Sequence, residues 1–438
     1  MAPISNNRSR VRNMRPTVYC EPSAPKAPQK QPFRQASYPG LSSASAMRIA
    51  FVKSALTLPA RAGSDLHTTE MAKALLARGH AVEYFAGKTA GCERLPFPVH
   101  ELAVTPQDES AGASGLSRLQ RRVCRLMGVS MAQLAAIRRT VDAGGFDACI
   151  AAGLEELYYL RGLQTTRVWY AADELIWAAV SEMRLANGLS QNYRLTVEAV
   201  VAFLSERLWR QTPEATWVVT DADRRRLELV TGRPATVVAN GVDLDFFRPV
   251  EAETRPQRAA FWGRLDFGPN EQAMEWFLGQ VWDRVRARKP EAELLVIGFQ
   301  PSEKVRALAD RPGVRLLPNL DDLRPAACSA PVAIYPFVSG AGIKNKLLEG
   351  AAMARALVVS PTAVNGLESG ADAPWTLCRR PEEWVDAIAR LFEQPAAALA
   401  AGEQARAWVS RHHTWARAAE IGESTILQAI ERRRAAVQ

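Results

Sequence analysis

An alternation that occurs twice limits what this chain can become. From Met47 the sequence reads strand, helix, strand: "MRIAFVK", then "DLHTTEMAKALLARGH" with Leu66, Met71, Leu75 and Leu76 near one helical face, then "AVEYFAG". The plan restarts at "AAFWG" (259–263), passes an irregular loop and a helix from about Glu271, and reaches "AELLVIG" (292–298). Further on come helix "SEKVRALAD", strand "GVRLLPN", helix "DDLRPAACSA", strand "VAIYPF", a glycine-rich loop, another helix and strand "ALVVSP". Short apolar strands separated by helices are satisfied by a parallel sheet, because each crossover lays a helix on one face. The expected fold class is α/β, with two Rossmann-like domains facing across a cleft. Ligands of such folds bind at the carboxyl ends of the strands.

Four segments are expected. Residues 1–46 hold seven basic side chains (Arg8, Arg10, Arg12, Arg15, Lys26, Lys30, Arg34) against Glu21, so they carry +6 of the net +9 and leave +3 for the rest. A basic Pro/Ser-rich stretch buries too little apolar surface to offset chain entropy, and disorder is expected there. It has no apolar core of the secretory type; an Arg-rich transit peptide fits poorly for want of amphipathic periodicity, and a start at Met47 fits at least as well. Residues 47–245 form the first domain and 246–402 the second, joined through "TVVANGVDLDFFRPVEAETRPQ" as a hinge. Residues 403–438 read as a helical segment crossing back toward the first domain.

Several chemistries find no support. No run of 18 apolar residues occurs, so no transmembrane helix is expected. The six cysteines (Cys20, Cys92, Cys124, Cys149, Cys328, Cys378) form no CxxC pair, which argues for a reducing compartment and against a zinc site. With five histidines and no ligand cluster, no metal and no cofactor are expected.

The stretch "SGAGIKNKLLEGAAMARALVVSP" (Ser339–Pro361) points to a site. Gly340 and Gly342 let backbone N–H groups approach an anion. A helix beginning near Lys346 adds its positive end. Lys346 and Glu349 are three apart and share a helical face. A phosphate cradle has no use for a carboxylate, whereas a ribose does. The loop therefore reads as a grip on a nucleoside diphosphate, Lys346 on phosphate and Glu349 on ribose hydroxyls. The GxxxxGK[ST] pattern of ATPases is missing. The plain alternative is a surface ion pair worth a few tenths of a kcal/mol.

"VVANGVDLDFFRP", "WGRLDFGPNEQAMEWF", "LLVIG" and "GAGIKNKLLEGAAMARALVVSP" together resemble a family 4 retaining glycosyltransferase of GT-B fold, nearest to the bacterial exopolysaccharide subgroup. "ARGHAVEYF" and "VVTDADRRRL" extend the likeness over nearly all of 47–420. The resemblance implies sugar transfer from a nucleoside-diphosphate sugar to a glycan or lipid-linked acceptor, with retention and without a metal. It implies Arg264 and Lys346 as catalytic groups stabilising the leaving pyrophosphate. It implies Gly63, Asn240, Gly241, Arg264, Gly340, Gly342, Lys344, Lys346 and Glu349 as the donor-binding set. A domain-closing salt bridge is the structural alternative for Arg264.

The pattern departs from the family in three places. Where relatives have a second lysine after the arginine, Asn270 stands; where they have the first of two glutamates, Ala341 stands; where they have a strand-end histidine, Ala151, Ala152 and Gly153 stand. Glu155 or Glu156 is the nearest replacement for the histidine. Asp173 and Glu174 are acceptor-side candidates, with an N-cap as the plain alternative for Asp173. These losses keep two alternatives in view: an inactive nucleotide-sugar-binding partner in polysaccharide assembly, and a sugar-nucleotide 2-epimerase. Trp177, Trp209, Trp262, Trp276 and Trp375 are read as core before sugar contacts. A basic stretch over 115–142 (Arg118, Arg121, Arg122, Arg125, Arg138, Arg139) suits peripheral contact with anionic lipid, against a solvated helix face. A cytoplasmic protein at the inner membrane face is expected, with no nucleic-acid partner.

Overall fold

The computed structural model describes residues 46–58, 63–171, 188–340, 342–367 and 372–437, together with Ile176, Ala179, Val180 and Met183. The extension up to residue 45, Asp173, Glu174, Trp177 and Ala341 lie outside the described residues.

The first lobe is built on β1 (Arg48–Lys53), β2 (Ala81–Ala86), β3 (Val99–Glu101), β4 (Ala148–Ala152), β5 (Thr166–Ala171), β6 (Ala215–Val218) and β7 (Thr236–Val237), all parallel, in the order β3-β2-β1-β4-β5-β6-β7. β1 shows why its residues read as a continuous apolar run. Ile49 and Phe51 join Tyr84, Ile150 and Trp217 on one face, while Ala50 and Val52 join Phe85, Cys149 and Trp169 on the other. A strand covered on both sides has no polar face to show. The helices used below are α1 (Gly63–Ala77), α2 (Arg118–Leu126), α3 (Met131–Gly144) and α4 (Leu189–Trp209). The basic stretch 115–142 is thus two helices, broken where Gly128 takes φ 69°.

The second lobe repeats the winding with β8 (Arg258–Arg264), β9 (Glu293–Phe299), β10 (Val314–Pro318), β11 (Val332–Tyr335), β12 (Ala356–Val359) and β13 (Trp375–Leu377), in the order β10-β9-β8-β11-β12-β13. Its relevant helices are α5 (Gly268–Phe277), α6 (Asn345–Ala352) and α7 (Pro395–His412). A last helix, α8 (Trp415–Val437), returns to the first lobe. In both sheets the strand order reverses beside the first strand, which opens a crevice at the carboxyl edge.

Two expected boundaries move. Residue 403 falls inside α7, which is continuous to His412 and places Ala405, Trp408 and Val409 in the second-lobe core. The chain changes lobe at His413–Trp415, and Ala418, Ala419, Ile426 and Ala429 of α8 enter the core of the first lobe. The boundary at 245/246 also moves earlier, since Val242 is buried in the second-lobe core and Leu244 packs against it. The two crossing strands clasp one another. Val242 N–H donates to His413 O (3.0 Å), and a His413 Nδ1···Asn240 O contact of 3.0 Å lies beside it.

Candidate functional site

At the carboxyl edge of the second sheet, Trp262, Gly263 and Arg264 end β8 while the loop from Ser339 leads into α6. Gly340 (φ 101°) and Gly342 (φ 68°) take backbone conformations that side-chain-bearing residues rarely adopt. Lys344 is the N-cap residue of α6, and no side chain caps the first-turn N–H groups. Its buried ammonium donates to Gly342 O (3.2 Å) and closes the loop on itself.

Lys346 and Glu349 do not pair with one another; each is held by a neutral neighbour. Lys346 Nζ donates to Asn270 Oδ1 (2.7 Å), and Asn270 Nδ2 donates to Arg264 O (2.6 Å), which ties α6 to the end of β8 through α5. Trp262 Nε1 donates to Glu349 Oε2 (2.8 Å), leaving Oε1 without a hydrogen bond among the described residues. Both side chains keep partial contact with the surface, yet dense surroundings desolvate their charged ends. Burial pushes the Lys346 ammonium down to about 8, against the pull of Glu349 and with help from Lys344. Burial likewise raises the Glu349 carboxyl, opposed by the Trp262 donor and by Lys346. The surface ion pair is therefore not what this spacing builds. Gly263 belongs to the same arrangement: at φ 149°, a Cβ there would lie 3.0 Å from Lys346 Nζ and 3.1 Å from Asn270 Nδ2.

Arg264 sits on the same edge with its side chain 47% exposed. It is paired with Asp266 (2.9 Å) and stands over the Phe267 ring. That pair lies within one short stretch of chain at the end of β8. Asn240 is buried at the lobe junction and donates from Nδ2 to Asn345 Oδ1 (3.0 Å). Asn345, the first residue of α6, meets His67 Nε2 of α1 at 3.3 Å. A Cβ on Gly241 would lie 2.2 Å from Trp415 N, so its smallness allows the close approach of the crossing segment.

On the first-lobe edge Gly63 opens α1, and Asp65 in the first turn forms a buried ion pair with Lys53 at the end of β1. Beside them Glu156 Oε1 accepts from Ser54 Oγ (2.8 Å) and Ser54 N–H (3.3 Å). Burial raises the Glu156 carboxyl, with the Lys53 charge and the Ser54 donors acting against it. Of the two replacements considered for the strand-end histidine, Glu156 is buried and Glu155 exposed. A Cβ on Gly153 would lie 2.6 Å from Glu156 Oε2, so this carboxylate fills the space beside the strand end. Sequence reasoning missed His67, Lys53, Asp65 and the roles of Trp262 and Asn270. Trp209 and Trp262 are core residues, and Trp276 and Trp375 pack partly buried against the core.

Residues 256–394 match the family model described as glycosyl transferases group 1. No curated protein sequence matches the chain significantly. Solved structures match across both lobes. Sucrose-phosphate synthase from Thermosynechococcus elongatus has a TM-score of 0.65 at 15% identity, covering 90% of this chain and 100% of that one. WaaG, a glycosyltransferase involved in lipopolysaccharide biosynthesis, has 0.60 at 15% identity over 86% and 99%. Anabaena HepE in complex with UDP and glucose has 0.58 at 13% identity over 89% and 99%. The fold is GT-B. Within this GT-B frame, the matched segment contains Trp262, Arg264, Asn270, Lys346 and Glu349, and the first-lobe groups lie outside it.

Proposed function

We propose that this chain transfers a sugar from a nucleoside-diphosphate sugar to a glycan or lipid-linked acceptor. The transfer retains the anomeric configuration, needs no metal ion, and serves exopolysaccharide or cell-envelope glycan synthesis on the cytoplasmic side of the membrane. The observation that carries the reading is the separation of Lys346 from Glu349. Two opposite charges three residues apart are each hydrogen-bonded to a neutral partner rather than to one another, which supports a ligand that carries anionic and hydroxyl groups side by side. Lys346 and the loop N–H groups neutralise the diphosphate, and Glu349 Oε1 accepts from ribose hydroxyls. As the bond from the sugar to the β-phosphate oxygen breaks, its electron pair stays on the diphosphate, where Lys346 and Arg264 stabilise it. The acceptor oxygen forms the new bond from the same face, and its proton passes to the departing phosphate. Retention and the envelope pathway rest on the family resemblance, and UDP is the first probe because the neighbour HepE is described with it.

A thermal-shift panel of UDP, GDP and ADP, with and without EDTA, tests the reading on wild type and Glu349→Ala. A ligand at 100 times its Kd stabilises by about 2.7 kcal/mol, a shift of a few degrees. One diphosphate is expected to shift the wild type regardless of EDTA and the variant far less. Equal shifts in both proteins would remove the ribose role. No shift with any diphosphate would favour an inactive partner, the reading to which the missing glutamate at 341 and the Arg264–Asp266 pair also lean.

A further inference from the structure

The start of α6 is fastened from both lobes. Within its own lobe, Tyr335 OH donates to Lys346 O (2.7 Å) and Asn270 accepts from Lys346 Nζ. On the other side the Asn345 side chain reaches into the lobe junction. Its Oδ1 accepts from Asn240 Nδ2 (3.0 Å), so its Nδ2 is the atom that meets His67 Nε2 at 3.3 Å. An amide nitrogen donates, which makes Nε2 the acceptor and puts the ring proton of the neutral imidazole on Nδ1. Both ends of this relay return to one short segment. The His67 ring stacks on Tyr170 at the end of β5 (6.3 Å) and lies tilted against Trp415 (6.1 Å), while Asn240 O meets His413 Nδ1 at 3.0 Å. His413–Trp415 is where the chain crosses back between the lobes, and Asn240 lies on the first crossing. His67 and Asn240 are buried, and Asn240 Oδ1 has no hydrogen bond among the described residues. Leaving that acceptor unpaired is a cost of turning the amide toward Asn345.

We infer that His67 is a positioning residue for the diphosphate grip, acting across the lobe junction through Asn345. Asn345 is the first residue of α6 and precedes Lys346, in a first turn whose N–H groups no side chain caps. A small rotation or slide of α6 would carry Lys346, Glu349 and those N–H groups together. Asn270 and Trp262 fix where the two charged ends point; Asn345 fixes the start of the helix against α1 and both crossing strands. A grip held in place beforehand loses less freedom when its ligand arrives. The relative placement of the lobes is thereby felt at the diphosphate, with neither His67 nor Asn240 touching it. The inference deepens the diphosphate reading above and rests on it for its purpose, whereas the relay itself is present without a ligand.

The test uses the full chain and three changes. His67→Phe keeps a ring against Tyr170 and Trp415 and removes the acceptor; His67→Gln restores an acceptor. Asn345→Ala removes the amide from a half-buried position and keeps a good helix former there. UDP, GDP and ADP are titrated by calorimetry, and hydrogen exchange follows peptides covering α6 without nucleotide. His67→Phe and Asn345→Ala are each expected to weaken diphosphate binding about threefold to tenfold and to speed exchange at α6. His67→Gln should return both toward wild type. The double variant His67→Phe/Asn345→Ala should lose no more than either single change, because both cut the same link. A lowered melting temperature with unchanged affinity overturns the inference, and so do losses that add in the double variant. If His67→Phe does not fold, unchanged affinity and exchange in Asn345→Ala overturn it alone. A wild type that binds none of the three diphosphates removes the donor reading and leaves exchange to decide. Faster exchange at α6 in His67→Phe, reversed by His67→Gln, then keeps the relay, and unaltered exchange overturns it.

Discussion

The two lobes wind their sheets alike and treat charge at the cleft edge in opposite ways. On the first lobe the charges are spent internally: Lys53 pairs with Asp65, and Glu156 is wrapped by Ser54. On the second lobe, Lys346 and Glu349 are kept apart by Asn270 and Trp262, so the edge retains a cation and a carboxylate for something else. A self-neutralised edge holds its own backbone in place; an edge with charges on neutral supports is prepared for a charged ligand. The common topology locates a crevice, and the partners of a few side chains decide what the crevice is for.

The comparison breaks most visibly on the first lobe. Lys53→Met leaves Asp65 buried without its cation, and denaturant unfolding should show a loss of about 3–5 kcal/mol. The UDP-induced shift of the protein that remains folded should persist. A variant that melts like wild type and loses UDP would mean the first-lobe pair is a ligand site after all. A smaller effect is expected from Trp262→Phe, which keeps an aromatic ring of smaller size and removes the donor to Glu349. A hydrogen bond to a charged group is worth about 1.5–3 kcal/mol, so UDP titration calorimetry should read a tenfold or larger loss of affinity. Unchanged affinity would mean that Glu349 needs no support.

The most diagnostic effect is in the pH profile. Lys346 is charged below about pH 8 in the free protein, against an ordinary value of 10.5. Between those values the unfolded chain holds a proton that the native chain has released, so the empty protein gains stability as pH rises through that window. Diphosphate binding needs the cation and runs the other way, weakening above about pH 8 by up to tenfold per unit. Lys346→Arg keeps its charge there and should bind with no inflection. A wild-type profile flat to pH 10 would place the phosphate elsewhere.

Much of this was legible in the sequence because it is local. The strand–helix alternation, the glycines at 340 and 342 and the spacing of Lys346 and Glu349 each lie within one short stretch. What was not legible is long-range. Trp262 and Glu349 are 87 residues apart, and His67 and Asn345 are 278 apart; no spacing rule couples positions that meet only when sheets assemble. Asn270 read as the loss of a lysine because its partner could not be seen, and in the structure it positions Lys346. The boundary at 403 missed because polarity marks a surface helix without saying which lobe it covers. Trp415 and Ala418 look no different in sequence from Trp408 and Ala405.

The crossing at His413–Trp415 has a consequence for how the molecule is made. Because α8 supplies core residues to the first lobe, the second lobe is in effect an insertion within it. During synthesis, domains generally fold as units from the N-terminus. Here the lobe that emerges first waits for its last helix, while the second lobe is already whole at His412. A released chain that ends before Trp415 would hold a finished second lobe on an open first one, with Trp217 lacking Thr425 and the sheet face it belongs to uncovered.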